Sequence, residues 1–194
     1  MGQKTVVAHD GLLTAVCDPA TSSILTGGED GKVCRITADG TVTLVAEAPR
    51  KWITALAAGP SGAVGYSHGK TAVVVTADGK TKEFSEQRSI EGLAFAPKGL
   101  RMAIARYNGV TLQWAGTNGA PVDLEWKGAH SIVTFSPDGR FLVTAMQENA
   151  LHGWKLDSKP GEEARHMRMT GYPAKIKSLS WSPKGKWLAS SGAP

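Results

Sequence analysis

The stretch Phe135-Ser136-Pro137-Asp138-Gly139-Arg140-Phe141-Leu142-Val143-Thr144 returns 46 residues later as Trp181-Ser182-Pro183-Lys184-Gly185-Lys186-Trp187-Leu188-Ala189-Ser190. Each copy runs from an aromatic residue through a Pro-x-Gly corner into an apolar run. Proline presets φ at the second turn position and glycine accepts φ > 0, so the tripeptide reads as a tight hairpin corner. Pro60-Ser61-Gly62 and Pro97-Lys98-Gly99 repeat it, and Pro19 ends a matching segment without the glycine. The five prolines are spaced by 41, 37, 40 and 46 residues. A recurrence of about 40 residues marks an array of like supersecondary units.

The flanks carry the same period. Two residues before each proline stand Cys17, Ala58, Phe95, Phe135 and Trp181, and four before stand Ala15, Leu56, Leu93, Val133 and Leu179. Apolar residues at alternate positions describe the buried face of a first strand. Seven before each proline come Leu12, Ile53, Ile90, His130 and Ile176, where only His130 departs from a large aliphatic. A second strand follows each corner, such as Met102-Ala103-Ile104 and Phe141–Thr144. Third strands follow at Lys32–Ile36, Ala72–Val75, Val110–Trp114 and Leu151–Trp154. The first two end in an identical Thr-Ala-Asp-Gly, at Thr37–Gly40 and Thr76–Gly79, which is a strong hairpin signal. More polar fourth strands, Thr41–Ala46 and Val122–Trp126, close their units. No segment holds a helical period over ten residues, so the chain reads as all-β in four-stranded units.

On these residues the sequence resembles the WD40-repeat β-propeller family. The two quoted stretches match its first-hairpin pattern, Trp114 and Trp154 fall where its tryptophan ends the third strand, and Asp30 and Asn108 take its second-turn aspartate position, with Glu148 as a variant. The likeness spans essentially the whole chain. It departs in having no Trp-Asp dipeptide and in carrying Ile36 and Val75 in place of two tryptophans. The resemblance implies a structural hydrogen-bond set drawn from His9, Thr26 and Asp30 in the first unit and Thr144, Glu148 and Trp154 in the fourth. It also implies blades at about 9–48, 49–87, 88–128 and 129–174 and a partial fifth at 175–194, within one propeller domain over 1–194. Gln3–Ala8 would be the outer strand that closes the ring. Four complete blades and part of a fifth are fewer than the seven of a typical ring, so the expectation is a fragment of a larger propeller, with a small five-bladed ring as the alternative.

Composition limits the function classes. Apolar residues make up 41% and charged residues 20% of the 194, enough for a packed core and unlike a disordered chain. No run approaches the roughly 18 apolar residues of a membrane-spanning helix, and the N-terminal residues lack a secretory layout, so a cytoplasmic location without membrane contact is the expectation. Two cysteines, Cys17 and Cys34, are too few for a disulfide scaffold; they fall on the first and third strands of one unit and are expected to be buried, inert thiols. The net charge is +5, with a balance of −1 over residues 1–97 and +6 over 98–194, compatible with an anionic partner.

Chemical motifs are sparse. Gly65-Tyr66-Ser67-His68-Gly69 matches the nucleophile-elbow pattern, but a strand-like Thr71–Val75 follows where that chemistry needs a helix, and Ser67 aligns with Thr26, Thr144 and Ser190 in the repeat. The five histidines show no ligand spacing, so neither metal nor cofactor is expected. His130 reads either as a buried, hydrogen-bonded ring or as a residue of the central opening. The loops before the first strands carry Arg50-Lys51-Trp52, Arg88, Trp126-Lys127 and Tyr172 to Lys175, with Arg106-Tyr107 in an accompanying turn. Cationic and aromatic side chains interleaved in this way suit an acidic peptide or another anion. The expected function is a non-catalytic scaffold that binds a protein or peptide, an acidic one among the options, through Arg50, Lys51, Trp52, Arg88, Arg106, Tyr107, Lys127, His130, Tyr172 and Lys175. A hydrolase or ligand-binding propeller using its channel and a weak nucleic-acid binder are the alternatives. The oligomeric state stays open.

Overall fold

The computed structural model describes residues 4–157 and 165–192, and divides the chain into two compact units, Met1–Ile90 and Glu91–Pro194. The boundary falls between the second and third repeats. Among the described residues, strands are joined by tight turns, with a single 3-10 turn at Pro60–Gly62 and no helix long and apolar enough to cross a membrane.

In the first unit, β1 (Leu12–Asp18), β2 (Ser23–Gly28), β3 (Lys32–Ile36) and β4 (Val42–Glu47) form an antiparallel meander in chain order, and β5 (Ala55–Ala58), β6 (Val64–His68), β7 (Thr71–Val75) and β8 (Thr81–Ser85) form another. The two sheets share a core: Leu25 and Val33 from the first meet Ile53, Leu56, Val64, Tyr66 and Val73. Only one face of the first sheet is used in this way. The other carries the cross-strand rows Cys17–Ile24–Ile36–Val42 and Ala15–Thr26–Cys34–Leu44, and leaves Ile24 46%, Val42 39% and Leu44 54% exposed. Alternation in β1 therefore does not mark a buried face, and Cys17 is exposed instead of buried, because the second sheet covers the opposite side. Cys34 is buried, which raises its thiol pKa.

In the second unit, β9 (Ile90–Phe95), β10 (Arg101–Trp114), β11 (Val122–Phe135), β12 (Phe141–Met146), β13 (Leu151–Lys155) and β14 (Arg165–Met169) are hydrogen-bonded in sequence, beside a short hairpin of β15 (Leu179–Trp181) and β16 (Leu188–Ser190). A straight strand as long as β10 would span about 45 Å at roughly 3.3 Å per residue. Yet the Ala115 amide donates to the Leu100 carbonyl at 2.8 Å, so β10 folds back on itself. The reversal is at Asn108 (φ 68°) and Gly109 (φ 134°). Strand β11 likewise divides its pairing: 122–125 lie against the second limb of β10, while 130–135 pair with β12. The six-membered sheet is thus two successive four-stranded units, packed on one core of Ala103, Val110, Leu112, Leu124, Phe135, Leu142 and Trp154.

The corners follow the reading at three of four sites. Gly139 and Gly185 donate to Ser136 and Ser182 at 2.8 Å, with proline in the second turn position, and the Ala96 amide reaches across the third corner to Arg101. At Pro60 the turn slips by one: Ala63 donates to Pro60, and Ser61 (φ 56°) and Gly62 (φ 78°) hold the central positions. In the first unit Ser22 (φ 50°) takes the left-handed position, and Asp18 ties the corner by accepting from the Ala20 amide and the Thr21 hydroxyl. Both Thr-Ala-Asp-Gly segments are closed hairpins, and hydroxyl and amide donors hold the carboxyls of Asp39 and Asp78 down to about 2, with the Lys80 ammonium the largest influence on Asp78. Residues 4–8, expected as a closing strand, are not in a sheet, since no described strand lies alongside to share ladder bonds; Gln3 lies outside the described residues.

Candidate interaction site

The turn at Asn108–Gly109 and the segment 125–128 are locked together. The Asn108 Oδ1 accepts from the Gly128 amide at 3.3 Å, and the Trp126 carbonyl accepts from His130 Nε2 at 3.0 Å. Arg106 fixes the base of the hairpin: its Nε donates to Thr111 Oγ1 at 2.9 Å and its Nη2 to Asp123 Oδ1 at 2.7 Å, and Thr111 also donates to Asp123. Between these pinned segments lies an open depression of about 460 Å³, lined by Tyr107, Asn108, Glu125, Trp126 and Lys127. Tyr107 is 45% and Trp126 37% exposed, so two aromatic rings face solvent on a rigid frame.

Beneath Trp126 is a cluster of rings. Its indole stacks on His166 at 3.9 Å between centroids and 16° between planes, and lies 4.6 Å from His152. His152 Nδ1 and His166 Nε2 are 2.6 Å apart, and His152 Nε2 is buried without a partner. His130 and Trp154 complete the cluster, Trp154 lying 5.7 Å from His130. Burial lowers the pKa of all three histidines; for His152, to about 4, the neighbouring rings of His166 and His130 add to it.

Several expected site residues are buried or already bonded within the chain. His130 is fully buried: Nε2 donates to the Trp126 carbonyl and Nδ1 accepts from Thr144 at 2.8 Å, so it cannot touch a partner. Arg106 is spent on Asp123 and is 15% exposed, which removes it as a recognition cation. Tyr172 packs against the Ile176 core, and its hydroxyl lies 3.1 Å from Ser190 Oγ. Lys175 is exposed in the loop before β15. In the first unit Arg50 (φ 62°), Lys51 and Trp52 form an exposed loop tip, Trp52 at 59%, and Arg88 is also exposed. Ser67 is fully buried on β6, with Thr54 Oγ1 at 3.4 Å, so no nucleophile elbow forms.

The residues of the implied hydrogen-bond set meet in the first unit, whereas Thr144 in the fourth bonds to His130 and not to Glu148 or Trp154. His9 Nδ1 donates to Asp30 at 3.0 Å and Nε2 accepts from Thr26 at 2.8 Å. Burial alone would raise the Asp30 carboxyl, but the Lys32 amide and His9 together hold it below its ordinary value. In the fourth unit His130 reaches the equivalent hydroxyl, Thr144, from a position three residues later than His9 occupies in its repeat, and Glu148 stands near without a hydrogen bond to it. His9→Ala takes the imidazole partner from the buried Thr26 hydroxyl and from the Asp30 carboxylate, leaving the first only a long bond to the Cys34 carbonyl and the second the Lys32 amide, and is expected to lower unfolding free energy by about 1–3 kcal/mol in urea titration.

Residues 165–193 match the family model described as "WD domain, G-beta repeat". Among solved structures, a chain of "Crystal Structure of Mitotic Checkpoint Complex" superposes with a TM-score of 0.77 at 15% identity, over 90% of this chain and 56% of that one. The chain has the WD40 propeller fold. It spans a little over half the length of that matched chain, and no curated protein matches its sequence. The family match runs from β14 through the β15–β16 hairpin and includes Trp181-Ser182-Pro183.

Proposed function

We propose that this WD40 propeller is a non-catalytic interaction module that takes a protein or peptide segment into the Tyr107–Trp126–Lys127 depression. The observation that carries the reading is the pair of solvent-facing aromatic rings held on a hydrogen-bonded frame: large, rigid rings gain contact area at low entropic cost and supply the anchors of most interfaces. Propellers of this kind commonly mediate protein interactions, and the matched solved chain belongs to a complex. Lys127 is the exposed cation of the depression and favours an acidic group on the partner, while Glu125 beside it keeps that preference mild. Arg50, Lys51, Trp52 and Arg88 would form a separate contact surface of the first unit.

Selection from a random peptide array with the intact chain tests the reading. Tyr107→Ala and Trp126→Ala are each expected to weaken the selected peptides by about 30-fold, as for anchors worth about 2 kcal/mol. Salt should change binding only slightly, because one cation is engaged. Unchanged affinity in both variants, with wild-type circular dichroism, overturns the assignment.

A further inference from the structure

We infer that the His152–His166 pair is an acid-sensitive catch that holds Trp126 in place, so that acid releases one wall of the depression. Its bearing on a partner rests on the interaction reading above; the catch itself rests on the ring geometry.

At 2.6 Å the facing nitrogens, His152 Nδ1 and His166 Nε2, have room for one hydrogen between them. A neutral pair satisfies this, and so does a pair with one extra proton on the outer nitrogen of His166. Two protonated rings cannot: each would point an N–H at the other, like charges would lie 4.8 Å apart between centroids, and the rings must separate. Trp126 covers both rings, nearly parallel to His166, and loses its stacking surface when they part. His166 is half-buried and gives solvent protons a way in, whereas His152 is fully buried and its Nε2 meets no acceptor that would steady a charge.

The charged and titratable groups facing the pair act in the same sense or are already engaged. Arg168 on β14 disfavours a proton on either ring, and His130 on β11 disfavours one on His152. Arg106 on β10 acts on His130 and is bound to Asp123, and the Glu148 carboxylate, before β13, favours charge on His130 and is not among the influences on His152 or His166. Each ring is therefore held neutral to a lower pH than a free imidazole. Whatever stability their neutral packing contributes is complete above about pH 6.5, and is lost as pH falls from there through the lowered values, towards about 4 for His152.

Fluorine NMR of the full chain labelled with 5-fluorotryptophan tests the catch without any partner, so it fails independently of the interaction reading. The chain has six tryptophans, and the Trp126 resonance is assigned by its loss in Trp126→Phe. The Trp126 signal is expected to hold steady down to about pH 6, then move as pH falls towards 4, with at least a twofold rise in its solvent isotope shift. His166→Gln and His152→Gln, which keep a hydrogen-bonding group but cannot form a doubly protonated pair, should each abolish the movement. Ring-proton titration of wild-type His152 and His166 guards against variants that fail to fold, and should show both rings titrating below 6.5, with the second proton entering only as Trp126 moves. A Trp126 signal that ignores pH, a response that persists in both glutamine variants, separate histidine midpoints near 6.5, or movement that coincides with loss of the β-sheet circular dichroism would each overturn the inference.

Discussion

Replacing Trp154 with alanine is expected to cost about 3–5 kcal/mol, the range for removing a large aromatic side chain from a packed core. Trp154 is 3% exposed and sits in the cluster with Leu112, Phe135 and Leu142, where strands of both repeats in the second unit meet. Its indole also packs against His130, His152 and His166. Alanine leaves a void among rings that are tied to the backbone by hydrogen bonds and to one another by stacking, so collapse into the space is hindered. For a chain of this length the loss corresponds to a fall in Tm of roughly 6–20 °C. Calorimetry of the variant checks it; a shift under 3 °C would mean that the cluster repacks freely.

Gly109→Ala is the second severe change. Gly109 has φ 134°, where an L side chain is strained by about 1–3 kcal/mol, and a Cβ placed there would lie 2.2 Å from the Leu124 carbonyl oxygen. Backbone must shift to relieve that clash, at a further cost of about 1–3 kcal/mol. Gly79 offers the comparison. It has φ 81° in the Thr-Ala-Asp-Gly hairpin, yet nothing lies within 4 Å of its missing Cβ, so Gly79→Ala should cost only the conformational part, about 1–2 kcal/mol. Urea titrations of the two variants should differ by at least 1 kcal/mol, and only Gly109→Ala should disturb the Tyr107 side of the depression.

The fold was legible because it is repeated: alternating Val133 and Phe135, the Pro137-Asp138-Gly139 corner and the Asp39 and Asp78 hairpins are local chemistry, and each sheet is a meander of consecutive strands. What one strand looks like does not say what lies on it, however. Ala15 and Cys17 alternate like Val133 and Phe135, but their face is open because the neighbouring sheet takes the other side. The site was legible only in part. Tyr107 and Lys127 stood out as an aromatic and a cation in turns, whereas Arg106, equally conspicuous, is consumed by Asp123 on a strand 17 residues away. The His152–His166 pair was hidden. His166 lies opposite Trp154, and His152 opposite Arg168, so the contact is a diagonal one across two strands whose register depends on the connection between them.

Strand β11 gives its opening residues to one sheet and its closing residues to the next, and both sheets are sealed over the same tryptophan-centred core. Melting either sheet drags on the other through a covalent thread as well as through shared contacts. Two repeats that look modular on paper are thus fused into one cooperative block, and heat should take them apart together or not at all.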